Sequence, residues 1–420
     1  MALRRTTQIV GLALAAQLLA PPSFAATEIT FWHSGSGPHE EAINALIDRF
    51  NGSQNQITVS GEYVGDYDEM MTKLQAAIPA GNQPDVVQLE ATRFGLFAAR
   101  DQLQPLEPYF EQAGPEFTDQ IRPFAREAAL YQGQSYVIPF NVSTPVMYYN
   151  KDHFEAAGLD PEAPPATWDE LLEAAKALTV RQGDEVTQWG VNAPPQWVRW
   201  AFTHQNEGGW VDAETNEVQM GMPESAEAYQ FAADLVNVHQ VASTDAALDE
   251  DTGKQYFLNG NASILFGSTG SLGRYREDAG FDLGVAKLPC HKVCAAPIGG
   301  ATLGIMSASP EDEKAAAWQF LEFINQPEQN ATVFATTGYL PVLKGTTELP
   351  QAAELLKNVP AYSVAIDQLD VAFGRARPPA MPAIRRLEPA VWESIVLEQE
   401  TAEEALGEFA KEMEGMIAEG

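Results

Sequence analysis

The segment from residue 28 to residue 89 alternates three short apolar strands with two amphipathic helices, and this alternation most restricts how the chain can fold. The predicted strands are residues 28–32, 56–63 and 84–89, and the predicted helices are residues 40–50 and 68–78. Strands that alternate with helices predict a parallel α/β sheet. Ligands of such sheets bind beyond the carboxyl ends of the strands. The candidate binding positions are therefore His33, Ser34, residues 65–67 and Glu90.

The size of the chain predicts two lobes. It has 420 residues, 45% of them hydrophobic, and single cores tend to split beyond about 250 to 300 residues. We expect two α/β lobes joined by a hinge, with residues 140–145 as an extended crossing between them. Lobe 1 is predicted to comprise residues 26–140 and 292–342, and lobe 2 residues 141–291 and 343–420. In lobe 2, Thr167 and Glu170 have the spacing of a helix capping box.

The first 25 residues have the pattern of a cleavable secretory signal. Arg4 and Arg5 precede an apolar run over residues 9–20, which is shorter than the roughly 20 residues that a membrane-spanning helix needs. We expect cleavage near Ala25 and a soluble protein in the periplasm. Without the segment, 23 Lys and Arg face 58 Asp and Glu, a net charge of 23 − 58 = −35. This acidity disfavours nucleic acid as a partner and otherwise indicates solubility or a saline habitat.

Cys290 and Cys294 are the only cysteines. Export favours a disulfide between them. The alternative is a metal site that adds His291, but three ligands leave a tetrahedral site incomplete. We therefore predict no metal and no cofactor.

Residues 371–387 contain Arg375, Arg377, Arg385 and Arg386 but no acidic residue. In so acidic a chain this segment indicates an anionic ligand, because guanidinium groups bind phosphate through paired, charge-assisted hydrogen bonds. The alternative from spacing alone is that these arginines pair with surrounding carboxylates.

Aromatic residues near predicted turns and strand ends are the second group of candidates, since their rings can stack on a polyol or on choline. Each one can equally be a packing residue. They are Trp32, Tyr67, Trp197, Trp200, Trp210 and Tyr339.

Catalysis has no support from motifs. The six histidines are dispersed, and the zinc-protease, hydrolase-elbow and Walker patterns are absent from the sequence. We therefore predict a binding protein and not an enzyme, with a secreted hydrolase as the alternative of another class.

Five segments resemble the extracytoplasmic sn-glycerol-3-phosphate-binding proteins of ABC importers, in consistent order along nearly the whole chain. They are residues 31–34 (FWHS), 140–151 (FNVSTPVMYYNK), 298–301 (IGGA), 337–341 (TGYLP) and 381–385 (MPAIR). The resemblance implies a two-lobed periplasmic-binding-protein-like fold of type II that closes on its ligand. It also implies a small phosphorylated polyol as ligand, the ABC permease subunits as partners and a monomeric state.

The resemblance implies eight ligand-binding positions. They are Tyr67, Glu90, Ser143, Trp197, Ser268, Gly300, Tyr339 and Arg385. Arg385 and the Gly300 N–H group suit phosphate, and Glu90 could accept hydrogen bonds from glycerol hydroxyls. Pro194 and Pro195 depart from the family pattern beside Trp197, which leaves open which aromatic ring contacts the glycerol end and whether glycerophosphocholine also binds. A neutral oligosaccharide receptor is the alternative within the same fold.

Overall fold

The computed structural model describes residues 26–419, so the predicted signal over residues 1–25 lies outside the described residues. The strands are β1 Thr27–His33, β2 Ile57–Tyr63, β3 Val86–Glu90, β4 Leu130–Tyr131, β5 Gln134–Ser135, β6 Val137–Ser143, β7 Pro145–Asn150, β8 Val180–Gln182, β9 Glu185–Gln188, β10 Ile264–Ser268, β11 Leu283–Ala286, β12 Ala296–Pro297, β13 Gly299–Ile305 and β14 Ala372–Phe373.

Helices surround these strands. They are α1 Pro38–Ser53, α2 Tyr67–Ala80, α3 Phe94–Ala98, α4 Glu107–Ala113, α5 Pro115–Asp119, α6 Pro123–Glu127, α7 Lys151–Ala156, α8 Trp168–Leu178, α9 Gln196–Gln205, α10 Pro223–Asn237, α11 Thr244–Leu248, α12 Glu250–Leu258, α13 Leu272–Asp278, α14 Glu311–Ile324, α15 Pro327–Thr337, α16 Pro350–Asn358, α17 Ala361–Asp367, α18 Met381–Val396 and α19 Ala402–Glu419. Short 3₁₀ turns cover Thr269–Ser271, Thr346–Glu348 and Gln368–Val371. Within residues 26–419, no helix is both long and apolar enough to cross a membrane.

The first sheet has five strands in the order β2-β1-β3-β13-β6. Strands β1, β2 and β3 are parallel, as the sequence predicts, whereas β13 runs antiparallel to both β3 and β6. Because β13 is reversed, its first residues lie at the same edge as the last residues of β3 and β6. This edge carries Glu90, Ser143 and Gly300.

A second sheet has three strands in the order β10-β7-β11. The chain passes from β6 into β7 through Thr144, which confirms that residues 140–145 are an extended crossing. At the crossing, Thr269 and Thr144 exchange hydrogen bonds of 3.0 and 3.2 Å, so the end of β10 lies beside the end of β6. The two sheets and their helices form the two-domain α/β architecture that the sequence predicts.

Local sequence signals start two of the helices. Asp66 and Glu69 form a capping box at α2, and Thr167 and Glu170 form the predicted one at α8. Each box satisfies N–H groups at a helix end that would otherwise have no acceptor. At α2 the cap also determines where Tyr67, the first helical residue, lies.

Cys290 and Cys294 form the predicted disulfide, with Cα atoms 4.7 Å apart. The bridged loop holds the start of α8, because the Cys290 carbonyl accepts a hydrogen bond of 3.0 Å from the Trp168 N–H group. The ring of His291 stacks on the Trp168 indole at 4.5 Å between centroids. His291 therefore lies within the disulfide-bonded loop and packs against Trp168.

We expect thiol titration of the unfolded, unreduced protein to detect no free sulfhydryl group. Replacing both cysteines by serine should lower the free energy of unfolding by only about 2 kcal/mol, because the closed loop is so short. Two titratable thiols would contradict the disulfide.

Candidate ligand-binding site

The edge of the five-stranded sheet brings together residues that are distant in sequence. Strand register places Ala301 opposite Glu90 and Gly299 opposite Ser143. Gly300 between them has a φ of +106°, and a Cβ atom there would lie 2.3 Å from the Asn141 carbonyl oxygen. Only glycine fits this position. Three of the eight predicted positions therefore share one edge.

Arginines from outside the sheet converge on Glu90. Arg385 Nη1 donates to Glu90 Oε2 at 3.2 Å and to Thr92 Oγ1 at 3.3 Å. Arg375 Nη2 donates to Glu90 Oε1, and its Nε donates to the Ile298 carbonyl at 2.7 Å. Arg93 Nε lies 3.9 Å from Glu90 Oε2, and Arg93 Nη1 pairs with Asp68 at 2.7 Å. Both Glu90 oxygens thus accept hydrogen bonds from the protein.

Positive charge exceeds negative charge in this cluster. Three guanidinium groups, of Arg93, Arg375 and Arg385, face two carboxylates, of Glu90 and Asp68, which leaves a surplus of +1. Burial alone would raise the pKa of Glu90, but Arg375, Arg385 and Arg93 outweigh it and hold that pKa well below its usual range. Burial lowers the pKa of Arg385 to about 10, and Arg375 and Arg93 add to the effect while Glu90 opposes it. Arg385 therefore remains cationic at neutral pH.

Arg385 and Arg375 each keep one guanidinium nitrogen without an acceptor among residues 26–419. Arg385 donates through Nε and Nη1, and Arg375 donates through Nε and Nη2. Arg385 Nη2 and Arg375 Nη1 have no protein partner there, and neither is among the fully buried unsatisfied atoms. Both nitrogens can therefore donate to a bound molecule.

Tyr67 and Tyr339 line a cavity of about 160 Å³ next to this cluster. Burial, followed by the neighbouring Tyr339 and Glu90, raises the pKa of Tyr67 well above its usual value. Burial likewise raises the pKa of Tyr339, so both phenols stay protonated and can donate hydrogen bonds. Gly270, Ser271 and Arg274 also line this cavity. Larger cavities of about 290, 340 and 610 Å³ occur elsewhere among the described residues, and none of these three is lined by any of the eight predicted ligand-binding positions.

Two glycines touch aromatic rings of the other predicted lobe. A Cβ atom on Gly270 would lie 2.7 Å from the Tyr339 ring, and a Cβ atom on Gly299 would lie 2.5 Å from the Trp197 ring. Both distances are shorter than side chains tolerate. The absence of a side chain at these positions allows the two lobes to approach each other on both sides of the site.

The remaining predicted positions lie around the crossing. Ser268 ends β10, where its Oγ accepts a hydrogen bond of 3.1 Å from the Gly270 N–H group. Trp197 is the second residue of α9, two residues after Pro195, and its indole N–H is buried without an acceptor. The guanidinium of Arg375 lies 5.9 Å from this ring.

Three other aromatic candidates are packing residues. Trp200 and Trp210 stack on each other at 4.4 Å and are 1% and 0% exposed. Trp32 is also buried, and Lys73 Nζ lies 4.3 Å from its ring. The helical spacing of Trp197 and Trp200 is confirmed by α9, but the two rings have different surroundings.

Sequence reasoning missed three residues of the site. Thr92 and Arg93 follow Glu90 directly after β3, so the strand-end rule that identified Glu90 could also have found them. Gln196, whose amide contacts Arg385 Nε at 3.0 Å, carries no charge and belongs to no motif. Only the tertiary structure reveals it.

The chain is similar in sequence to known solute-binding proteins. Residues 45–361 match the family described as bacterial extracellular solute-binding protein. The sn-glycerol-3-phosphate-binding periplasmic protein UgpB of Yersinia enterocolitica is 31% identical over 384 residues, covering 88% of this chain and 85% of the relative. Its counterpart from Escherichia coli strain K12 is 30% identical over 402 residues, covering 91% of this chain and 90% of the relative.

Solved structures agree in fold. UgpB from Mycobacterium tuberculosis in complex with glycerophosphocholine superposes with a TM-score of 0.83 at 28% identity, covering 94% of this chain and 99% of that one. An ABC substrate-binding protein from Listeria monocytogenes in complex with cycloalternan gives 0.85 at 23% identity, covering 94% and 99%. At that identity the second similarity establishes the fold alone.

Proposed function

Because this chain belongs to the bacterial extracellular solute-binding proteins, we propose that it binds sn-glycerol 3-phosphate in the periplasm and delivers it to the permease subunits of an ABC importer. In this proposal it is exported by a signal cleaved near Ala25 and acts as a monomer, without catalysis and without nucleic acid as a partner. Lobe 1 comprises residues 26–140 and 292–342, and lobe 2 comprises residues 141–291 and 343–420.

The surplus of positive charge around Glu90 carries the proposal. A phosphate group would neutralise it and accept hydrogen bonds from Arg385 Nη2 and Arg375 Nη1, which have no acceptor among residues 26–419. Charge-assisted hydrogen bonds of this kind are roughly twice as strong as neutral ones. The relatives named for glycerol 3-phosphate support the same ligand.

The other predicted positions suit the rest of such a ligand. Tyr67 and Tyr339 can donate to phosphate oxygens from the cavity, and Ser143, Ser268 and the Gly300 N–H group lie at the strand ends around it. Trp197 can stack on the glycerol carbons or donate through its indole nitrogen. Glu90 can accept from a glycerol hydroxyl in addition to its protein partners, because a carboxylate offers about four acceptor directions.

A neutral oligosaccharide is the second candidate ligand, because the fold is shared with a protein bound to cycloalternan. The buried charge surplus argues against it, since an uncharged sugar would leave the guanidinium groups uncompensated. Glycerophosphocholine, the ligand in the Mycobacterium tuberculosis structure, retains one phosphate charge and is compatible with the site.

Calorimetric titration with glycerol 3-phosphate, glycerophosphocholine and maltose tests the proposal. We expect saturable heat with glycerol 3-phosphate and none with maltose. A product assay on the same samples should detect no turnover. Binding of maltose alone would favour the oligosaccharide receptor, and product formation would favour a hydrolase.

The affinity for glycerol 3-phosphate should fall by about tenfold between pH 7 and pH 5, because a phosphomonoester takes up its second proton near pH 6. Glycerophosphocholine is a diester and keeps its charge, so its affinity should stay nearly constant. Two groups near the site keep their charge state in this range, since burial and then His33 lower the pKa of His39 to about 3 and Glu90 stays ionised. Parallel pH profiles for the two ligands would contradict this assignment.

Closure on the ligand should depend on Gly270. We expect X-ray scattering to show a smaller radius of gyration when glycerol 3-phosphate is added to the wild type. Gly270→Ala should reduce this change and weaken binding, because its methyl group would contact the Tyr339 ring. Gly280→Ala is the control, since its methyl group has no neighbour within 4 Å. Equal compaction and affinity in both variants would contradict closure at this contact.

A further inference from the structure

Gln196 connects the arginine cluster to a second, fully buried ion pair. Its Oε1 accepts a hydrogen bond of 3.0 Å from Arg385 Nε. Its Nε2 donates to the Arg385 carbonyl at 2.8 Å and to Glu388 Oε2 at 3.0 Å. One amide therefore contacts both the side chain and the backbone of Arg385.

Glu388 determines which way this amide points. Its carboxylate is held by Arg199, through hydrogen bonds of 2.8 and 2.9 Å, and by the Tyr229 hydroxyl at 2.8 Å. Glu388 is 0% exposed and Arg199 is 4% exposed. If the amide were reversed, its oxygen would face the carboxylate and its NH₂ group would face Arg385 Nε. The reversed orientation would place two acceptors together at Glu388 and two donors together at Arg385.

We propose that Gln196 is a positioning residue of the anion site, whose amide, oriented by the buried Arg199–Glu388 pair, holds the Arg385 guanidinium so that Nη2 remains available to the ligand. The inference rests on the proposed function for its ligand and on the hydrogen bonds of Gln196 for its geometry.

The geometry explains why an oriented amide matters at this position. Arg385 Nη1 is engaged by Glu90 and Thr92, and Nε is engaged by Gln196. These two anchors determine the plane of the guanidinium. Without the second anchor the group can rotate about its bond to the side chain, and the direction of Nη2 is lost.

Titration of Gln196→Leu with glycerol 3-phosphate is the first test. We expect its affinity to fall about ten- to a hundredfold, the range for one hydrogen bond to a charged group. Gln205→Leu is the matched control, because Gln205 is a buried glutamine on the same helix whose amide binds Trp168 Nε1 and the Ala295 carbonyl. It should lose stability and keep its affinity. Unchanged affinity in Gln196→Leu would overturn the proposal.

A double-mutant cycle separates positioning from a general structural effect. In the Arg385→Ala background, Gln196→Leu should have almost no further effect on affinity, because the side chain that it positions is gone. An equal loss in both backgrounds would overturn the proposal. If Gln196→Leu does not fold, Gln196→Ala replaces it. That variant also removes the acceptor of Arg385 Nε, so it should bind more weakly, and unchanged affinity would again overturn the proposal.

A crystal structure of Gln196→Leu without ligand tests the orientation of the Arg385 guanidinium directly. We expect the Arg385 guanidinium to leave the plane set by its contacts with Glu90 and Thr92. If it keeps both contacts and its orientation, the positioning role is wrong. Failure of the wild type to bind glycerol 3-phosphate would count against the proposed function, and the structure of the variant would still decide the role of Gln196.

Discussion

Alanine in place of Arg385 is expected to weaken glycerol 3-phosphate binding by about 30- to 4,000-fold. The loss corresponds to roughly 2 to 5 kcal/mol for removing one partner of a buried, hydrogen-bonded charge pair. The free energy of unfolding should fall by only about 1 kcal/mol, because Glu90 keeps its hydrogen bonds to Arg375 and Thr92. Calorimetric titration and thermal melting of the same preparation measure both quantities.

Two further variants sharpen this test. Arg386→Ala removes the same charge from the next residue, whose side chain is exposed, and should change affinity only slightly. Arg385→Lys should restore binding only in part, because an ammonium group cannot contact Glu90, Gln196 and a phosphate with the fixed geometry of a guanidinium. A full return of affinity in the lysine variant would show that charge alone matters.

An unchanged titration curve in Arg385→Ala, together with a lower melting temperature, would make Arg385 a structural partner of Glu90. The phosphate would then be assigned to Arg375, whose Nη1 has no acceptor within residues 26–419. If replacing Arg375 also left the affinity unchanged, the ligand would not be held by these arginines, and a neutral sugar would be the alternative.

Most of the fold could be predicted from local patterns. Strands predicted at residues 28–32, 56–63 and 84–89 occur at Thr27–His33, Ile57–Tyr63 and Val86–Glu90. Alternation of apolar residues and helix capping are properties of neighbouring residues, so they can be identified without tertiary information. The antiparallel insertion of β13 between β3 and β6 depends on pairing over long distances, and no local pattern indicates it.

The site could be predicted as a set of residues but not as a set of contacts. The arginine-rich segment indicated an anion, but spacing alone could not tell ligand-binding arginines from paired ones. The structure shows that Arg375 and Arg385 pair with Glu90 and still keep one free nitrogen each among the described residues. Trp197 and Trp200 illustrate the same limit, since they share one helix, yet Trp197 packs against Gly299 at the edge of the sheet and Trp200 lies in the core.

Glutamine in place of Glu90 should lower the free energy of unfolding by about 3 to 5 kcal/mol, the cost of removing one partner from a buried ion pair. The change preserves size and leaves Arg93, Arg375 and Arg385 with Asp68 as their remaining acidic partner. The affinity for glycerol 3-phosphate should change less than in Arg385→Ala and should rise, because the guanidinium donors remain and one of the carboxylates that compensates their charge is gone. Chemical denaturation measures the first quantity and calorimetry the second.

The pH dependence of stability should also change in Glu90→Gln. The pKa of Glu90 is lowered from 4.5 in the folded protein. Its charge therefore stabilises the fold above about pH 4.5, and this contribution is lost as the pH falls through the folded-state pKa. The wild type should lose stability over this acidic range more steeply than the glutamine variant does.

Added ligand should recover the stability that Glu90→Gln loses, because phosphate brings negative charge to the same guanidinium groups. At saturating glycerol 3-phosphate, the melting temperature should therefore rise more in Glu90→Gln than in the wild type. Asp85→Asn is the control: it also removes a buried carboxylate, but Asp85 lies just before β3, at the opposite end of the strand from Glu90, where Thr30 and Ser309 donate hydrogen bonds to it. Its melting temperature should rise no more than that of the wild type. If ligand restores both variants equally, the charge surplus around Glu90 is not where the phosphate binds, and the anion must be held by other residues.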